Sequence, residues 1–159
     1  MPIDRDRPAD KDRTHPRSTA RLFGHPIHPM LVPFPITCFI GALVTDIVYA
    51  RSANLFWQYF SIWLITAGLV MGALAAVAGL IDYLGDRRIR AKRPATWHML
   101  LNITAMILSL LNAFVHSRDG WTAVVPQGII LSGVVVAILG VSGWLGGSLV
   151  YRHRVGVAE

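Results

Sequence analysis

An all-α fold, a bundle of four transmembrane helices running up-down-up-down with both termini in the cytoplasm, is predicted by composition, by four long apolar runs and by the placement of basic residues. Of 159 residues, 53% are hydrophobic and 15% charged, and the mean hydropathy is +0.49; that is too little charge to cover a water-soluble domain. The apolar runs cover about 30–50, 59–84, 96–116 and 126–150, each long enough for a helix to cross a bilayer, which takes roughly 20 residues. An even number of spans puts both termini on one side. That side carries thirteen cations: Arg5, Arg7, Lys11, Arg13, Arg17 and Arg21 before the first span, Arg87, Arg88, Arg90, Lys92 and Arg93 between the second and third, and Arg152 and Arg154 after the fourth. The other side carries only Arg51 and Arg118, so the positive-inside rule makes the basic side cytoplasmic.

Residues 1–22 hold six Lys/Arg, four Asp and several Pro without apolar periodicity, and read as a disordered basic arm. No secretory signal peptide is expected, because the first long apolar run begins only near Met30. The transmembrane domain is expected over 23–151 and a cytoplasmic tail over 152–159. The lipid bilayer is therefore the expected partner. The pI near 10.2 is accounted for by topogenic charge and anionic headgroups, so no nucleic-acid partner is expected. Tyr49, Phe56, Trp57, Tyr59 and Trp121 near one surface, and Tyr83, Trp97, Trp144 and Tyr151 near the other, read as interfacial belts. Short links predict antiparallel neighbours, and no internal repeat is evident.

Asp46 in the first span shares a face with Phe39, Ala42 and Ala50. It is either buried, where it would suit proton carrying, or interfacial beside Arg51. Gly68, Gly72, Ala75, Gly79 and Asp82 recur at helical spacing in the second span, a small-residue face that should point into the bundle. Asp82 either lies inward at the cytoplasmic end or merely ends the helix. In the third span His98, Asn102, Ala105, Ser109, Asn112 and His116 lie within roughly 40° of one line at 100° per residue, a polar stripe along a whole transmembrane helix. Such a stripe is interhelical hydrogen-bond glue or a proton or ion path. The fourth span holds Gly128, Gly133, Gly140, Gly143, Gly146 and Gly147 and should pack closely.

Antiparallel topology brings His25, His28, His98 and His153 to the cytoplasmic end together with Asp82. Four imidazoles and a carboxylate suit an imidazole-favouring transition metal, or axial ligation of haem b. The prolines after His25 and His28 stiffen that turn, and Asp82 or Asn102 could orient a ligand's other ring nitrogen. Helix-end histidines also cap carbonyls or face headgroups without any cofactor, or act as a pH-sensing cluster. Cys38 is the single cysteine, which excludes an internal disulfide and a thiolate-held iron–sulfur cluster. No nucleotide loop or hydrolase motif occurs.

Gly24-His25-Pro26-Ile27-His28-Pro29-Met30-Leu31-Val32-Pro33-Phe34-Pro35, Gly79-Leu80-Ile81-Asp82-Tyr83, His98 with Asn102, and Gly143-Trp144-Leu145-Gly146-Gly147 leading to Tyr151-Arg152-His153 resemble the domain-of-unknown-function 2231 family of predicted bacterial inner-membrane proteins with four spans. The resemblance covers about residues 22–157. Some relatives join this domain to a Rieske-type or cytochrome-like domain, which implies membrane redox work with a separate redox partner here, and favours His25, His28, His98 and His153 beside Asp82. Ser148 and Arg154 depart from the pattern, which would have an acidic residue and a glycine there. The reading that follows is an inner-membrane protein whose cytoplasmic-side histidines hold haem or a transition metal for electron transfer. The alternatives are a small proton- or ion-conducting protein, oligomeric and using the stripe with Asp46, and a structural or assembly subunit without cofactor.

Overall fold

The structure, a computed structural model, describes residues 16, 18–118 and 120–156; most of the basic arm, and its reading as disordered, lie outside the described residues. A two-residue hairpin, β1 (Arg21–Leu22) and β2 (His25–Pro26), leads into a short helix α1 (Ile27–Leu31) and then α2 (Pro33–Ser52). Next come α3 (Leu55–Gly85), the single turn α4 (Arg87–Arg90), α5 (Arg93–His116), the short α6 (Trp121–Val124) and α7 (Gln127–Tyr151). Four stretches are long and apolar enough to cross a membrane: Ile27–Ser52, Leu55–Gly85, Arg93–His116 and Trp121–Tyr151. Each is longer than the apolar run that announced it, because flanking turns such as Ile27-His28-Pro29, Arg93-Pro94-Ala95 and the short α6 belong to the helical stretch.

Local sequence explains the boundaries. Pro33 and Pro94 sit in the first turns of α2 and α5, where a missing N–H costs nothing. The Asn54 side chain caps α3 by accepting from Phe56 N, and Asp86 caps α4 by accepting from Arg88 N. The turn between β1 and β2 has positive φ at both Phe23 (49°) and Gly24 (84°), the geometry favoured in two-residue hairpins, which suits glycine and strains phenylalanine.

The four long helices form a ring, α2 against α3 and α7, and α5 against α3 and α7. Close approaches pair Gly41 with Leu64, Gly68 with Phe39 and Gly72 with Pro35, so α2 and α3 run in opposite senses. The pairing of Gly128 with His116 and of Gly146 with His98 does the same for α5 and α7. Burial is inverted relative to a soluble protein. Large apolar side chains such as Trp63 (72% exposed) and Phe114 (65%) face outward, while Ala42, Ser61, Ala105 and Ser109 are buried, as expected where the solvent is lipid and helices approach through small residues.

The glycine face expected on α3 does point inward. A Cβ on Gly68 would lie 2.8 Å from the Phe39 ring, and one on Gly72 would lie 2.6 Å from Met106 Sδ. On α7 the expectation of close packing holds for Gly128 and Gly146, but Gly133, Gly140 and Gly143 meet nothing within 4 Å. Among the described residues their lack of side chains therefore serves no contact.

Candidate functional site

At the end of the bundle where α2 finishes and α7 begins, four side chains from three helices close a ring of hydrogen bonds. Asp46 Oδ1 lies 2.9 Å from His116 Nε2. His116 Nδ1 is 3.0 Å from both the backbone O and Oδ1 of Asn112. Asn112 Nδ2 donates to Ser132 Oγ at 2.9 Å, and Ser132 Oγ donates to Asp46 Oδ2 at 2.6 Å. Asp46 is fully buried and His116 is 1% exposed. From α3, Gln58 Nε2 donates to the backbone O of His116 at 3.3 Å, and Ser61 Oγ meets Thr45 Oγ1 at 2.6 Å, so all four spans join one polar layer.

The partners orient the His116 ring. A backbone carbonyl faces His116 Nδ1, so that nitrogen carries a hydrogen. Nε2 meets Asp46 Oδ1 at 2.9 Å, so the acid and the base satisfy each other in an interior where an unpartnered polar group is costly. Gly128 makes room for the ring, since a Cβ there would fall 2.7 Å from His116 Cε1.

A second cluster lies at the opposite end. The His28 ring, from α1, and the His98 ring, from α5, are 6.0 Å apart and perpendicular. His28 Nδ1 bonds Ala75 O at 2.7 Å and His98 Nδ1 bonds Ser142 O at 2.9 Å. Asn102 Nδ2 donates to Ser142 Oγ at 2.6 Å and to His98 O at 2.7 Å. Between the two clusters Ser109 Oγ is buried and has no hydrogen-bond partner. The polar stripe of α5 is therefore interior along its length, bonded to α7 at both ends.

The other residues singled out by sequence are engaged differently. His25 is exposed on β2, and His153 Nδ1 bonds Ser148 O of the preceding turn at 3.1 Å. Asp82 accepts from Ser18 Oγ at 2.8 Å, Thr19 N at 2.6 Å and Ala20 N at 2.7 Å. Its carboxylate fastens the segment ahead of β1 to the end of α3, with no bond to a histidine among those described. Among the described residues no three of His, Cys, Asp and Glu come together as a metal-binding group. Of the expected set only His28 and His98 meet.

Sequence reasoning passed over Ser132, Ser142, Gln58 and the Thr45–Ser61 pair. The signal was present for the α7 serines, which interrupt an otherwise apolar run, but serine hydroxyls often bond back to their own helix. His116 lies at the opposite end of α5 from His98 and so falls outside the group His25, His28, His98 and His153. There it meets the Asp46 carboxylate at 2.9 Å.

A family model described as "Predicted membrane protein (DUF2231)" matches residues 24–159. The chain matches no curated protein and no solved structure.

Proposed function

Since the chain belongs to the DUF2231 family of membrane proteins, we propose that it is a small proton-conducting membrane protein whose intramembrane proton site is the Asp46–His116 pair. The observation that carries this reading is the 2.9 Å contact between a carboxylate and an imidazole, both excluded from solvent and held by helices that share no covalent link nearby. An ionisable group inside a membrane is costly and marks places where ions or protons move. The stripe supports a path: His98 and Asn102 are half-buried at one end, the Ser109 hydroxyl is unpartnered near the middle, and Asn112 and His116 lie at the other end. Hydroxyl, amide and imidazole groups in one line are the chemistry along which a proton can be handed on.

We place both termini and α4 on the cytoplasmic side of the inner membrane, on the strength of thirteen cations against two. The four-histidine cofactor reading has weaker support, because His25 is exposed and His153 is bonded within its own helix end.

The test is reconstitution into vesicles with a trapped pH dye, with a potassium gradient and valinomycin supplying the driving potential. Wild-type protein should acidify or alkalinise the lumen faster than protein-free vesicles, and Asp46→Asn and His116→Asn should return the rate to the protein-free level. If Asn112→Ala reduces the rate as His98→Ala does, the whole stripe is the path. A wild-type rate equal to that of protein-free vesicles overturns the reading.

A further inference from the structure

The two halves of the bundle are the same object built twice. From His28 to Asp46 the chain has its counterpart 70 positions later, His98 to His116, and the buried, half-buried and exposed states of 31–40 recur residue for residue at 101–110. Pro35, Phe39, Ala42, Thr45 and Asp46 are buried, and so are Ala105, Ser109, Asn112, Val115 and His116. The second helices match with an offset of 67: Ser61, Ile65, Gly68 and Ala75 are buried, as are Gly128, Ser132, Val135 and Ser142. Leu55–Gly85 and Trp121–Tyr151 have the same length, 31 residues. In the ring, α2 meets α3 and α7 while α5 meets α7 and α3, the pattern that a twofold axis along the bundle produces.

Residues equivalent under that axis and close to it must face each other. Asp46 and His116 are one such pair and His28 and His98 are the other. At the second pair the equivalence extends to chemistry. Each imidazole gives Nδ1 to a carbonyl on the second helix of its own hairpin, Ala75 O at 2.7 Å and Ser142 O at 2.9 Å. In each case a glycine stands four residues beyond that carbonyl and admits the ring: a Cβ on Gly79 would lie 2.8 Å from His28 Nδ1, and one on Gly146 would lie 3.1 Å from His98 Cε1. Backbone acceptors fix both rings as Nδ1–H tautomers, which leaves both Nε2 lone pairs free. Since α3 and α7 are diagonal in the ring, the two Nδ1 atoms are tied to different helices, and Nε2, across the imidazole from Nδ1, lies on the side of each ring away from its carbonyl. Asn102 Nδ2 does not block this, because it lies 3.4 Å from Nδ1 and 3.3 Å from Nε2 of His98. Such near-equal distances place it off the line of the Nε2 lone pair.

We infer that His28 and His98 form a two-imidazole site on the pseudo-twofold axis for one monovalent copper ion, bound through the two Nε2 atoms. Imidazole suits copper, zinc, iron and nickel, and among these a d¹⁰ copper(I) ion is content with two ligands in line, whereas zinc takes four. With no third His, Cys, Asp or Glu at the pair among the described residues, the ion that needs only two is selected. The separation agrees: with metal–nitrogen bonds of about 2 Å, two imidazoles in line on one ion have ring centres roughly 6 Å apart, and the observed distance is 6.0 Å. Both rings are half-buried, so an ion can reach them from the end of the bundle.

The test is titration of the purified full chain with copper(I) under reductant, in competition with bicinchoninate, followed by X-ray absorption of the loaded wild-type protein. One ion per chain in a two-nitrogen linear environment is expected, lost in His28→Asn and in His98→Asn and retained in His25→Asn, His153→Asn and Asp46→Asn. Retention in Asp46→Asn separates this site from the proton pair, so either proposal can fail alone. Absence of a stoichiometric ion in wild type, a sulfur-containing or four-coordinate environment, or binding that survives His28→Asn with His98→Asn together overturns the inference. The absorption spectrum needs no variant and so decides the matter even where a variant misfolds.

Discussion

Asp46 and His116 stand 70 positions apart in the chain, at matching places in its two hairpins, and Asp46 Oδ1 lies 2.9 Å from His116 Nε2 with both side chains withdrawn from solvent. The contact unites the two halves of the molecule, together with the hydrogen bonds from Ser132 to Asp46 and from Gln58 to the His116 carbonyl and the close packing of small residues. Removing either partner leaves the other buried without its mate, whereas removing both leaves no ionisable group stranded, only the Ser132 hydroxyl and the Asn112 amide oxygen without those two partners.

Asp46→Leu alone should lower stability by about 3 kcal/mol or more, the cost of breaking a buried pair, while Asp46→Leu with His116→Leu should recover much of that loss. Thermal unfolding of the detergent-solubilised protein, followed by circular dichroism across the four members of the cycle, measures the coupling. Strictly additive losses would mean that the pair contributes nothing jointly.

Glycine positions should divide sharply. Gly68→Ala presses a methyl onto the Phe39 ring and Gly128→Ala onto His116 and the Ala123 carbonyl, so each should cost about 1–3 kcal/mol as overpacking. Gly140→Ala and Gly143→Ala meet open space and should leave the melting temperature unchanged or slightly raised. A thermal shift series on the four variants checks the contrast.

The clasp at Asp82 predicts a protease phenotype. Ser18 Oγ, Thr19 N and Ala20 N all donate to this one carboxylate, and bonds to a charged acceptor are worth about 1.5–3 kcal/mol each. Asp82→Asn should therefore release the segment and speed tryptic cleavage after Arg21, read by mass spectrometry over a time course, with the helices left intact.

Orientation is checked by labelling a chain in which Cys38→Ser removes the only native thiol. In intact cells a membrane-impermeant maleimide should modify Ser117→Cys and spare Ala91→Cys, and should reach both after the cells are opened. The reverse pattern would place the basic side outside.

The spans were legible in the sequence because length and hydropathy act additively, and four runs without interruption admit little else. The inward faces of α3 and α5 were legible too, since Gly68, Gly72 and Ala75, like Ser109, Asn112 and His116, repeat at the helical period. The partners were not. Periodicity tells which side of one helix is polar but says nothing of the rotation of its neighbour, so the meeting of Asp46 with His116 and Ser132 needed the bundle itself. The internal repeat escaped for a related reason: between 28–46 and 98–116 only His28 with His98 and Leu31 with Leu101 keep their identity. What recurs is a pattern of burial, and in a membrane the same pattern can be written with Pro35 or Ala105, with Phe39 or Ser109. The grouping of His25, His153 and Asp82 with His28 and His98 assumed that helix ends at one surface converge; instead the hairpin holds His25 out in solvent and Asp82 is occupied by Ser18, Thr19 and Ala20.

A ribosome makes α2 well before α5. Asp46 thus enters the bilayer on a helix whose imidazole partner has not yet been synthesised, and so do the Thr45 and Ser61 hydroxyls of the first hairpin. Those two can satisfy each other at 2.6 Å; the carboxylate cannot. In the nascent first hairpin the carboxylate lacks its imidazole partner until the second hairpin closes around it. A chain halted in the loop after α3 would hold a lone acid in its first span, without the imidazole that meets it in the complete fold. The pair that joins the finished halves thereby also distinguishes a finished molecule from an unfinished one.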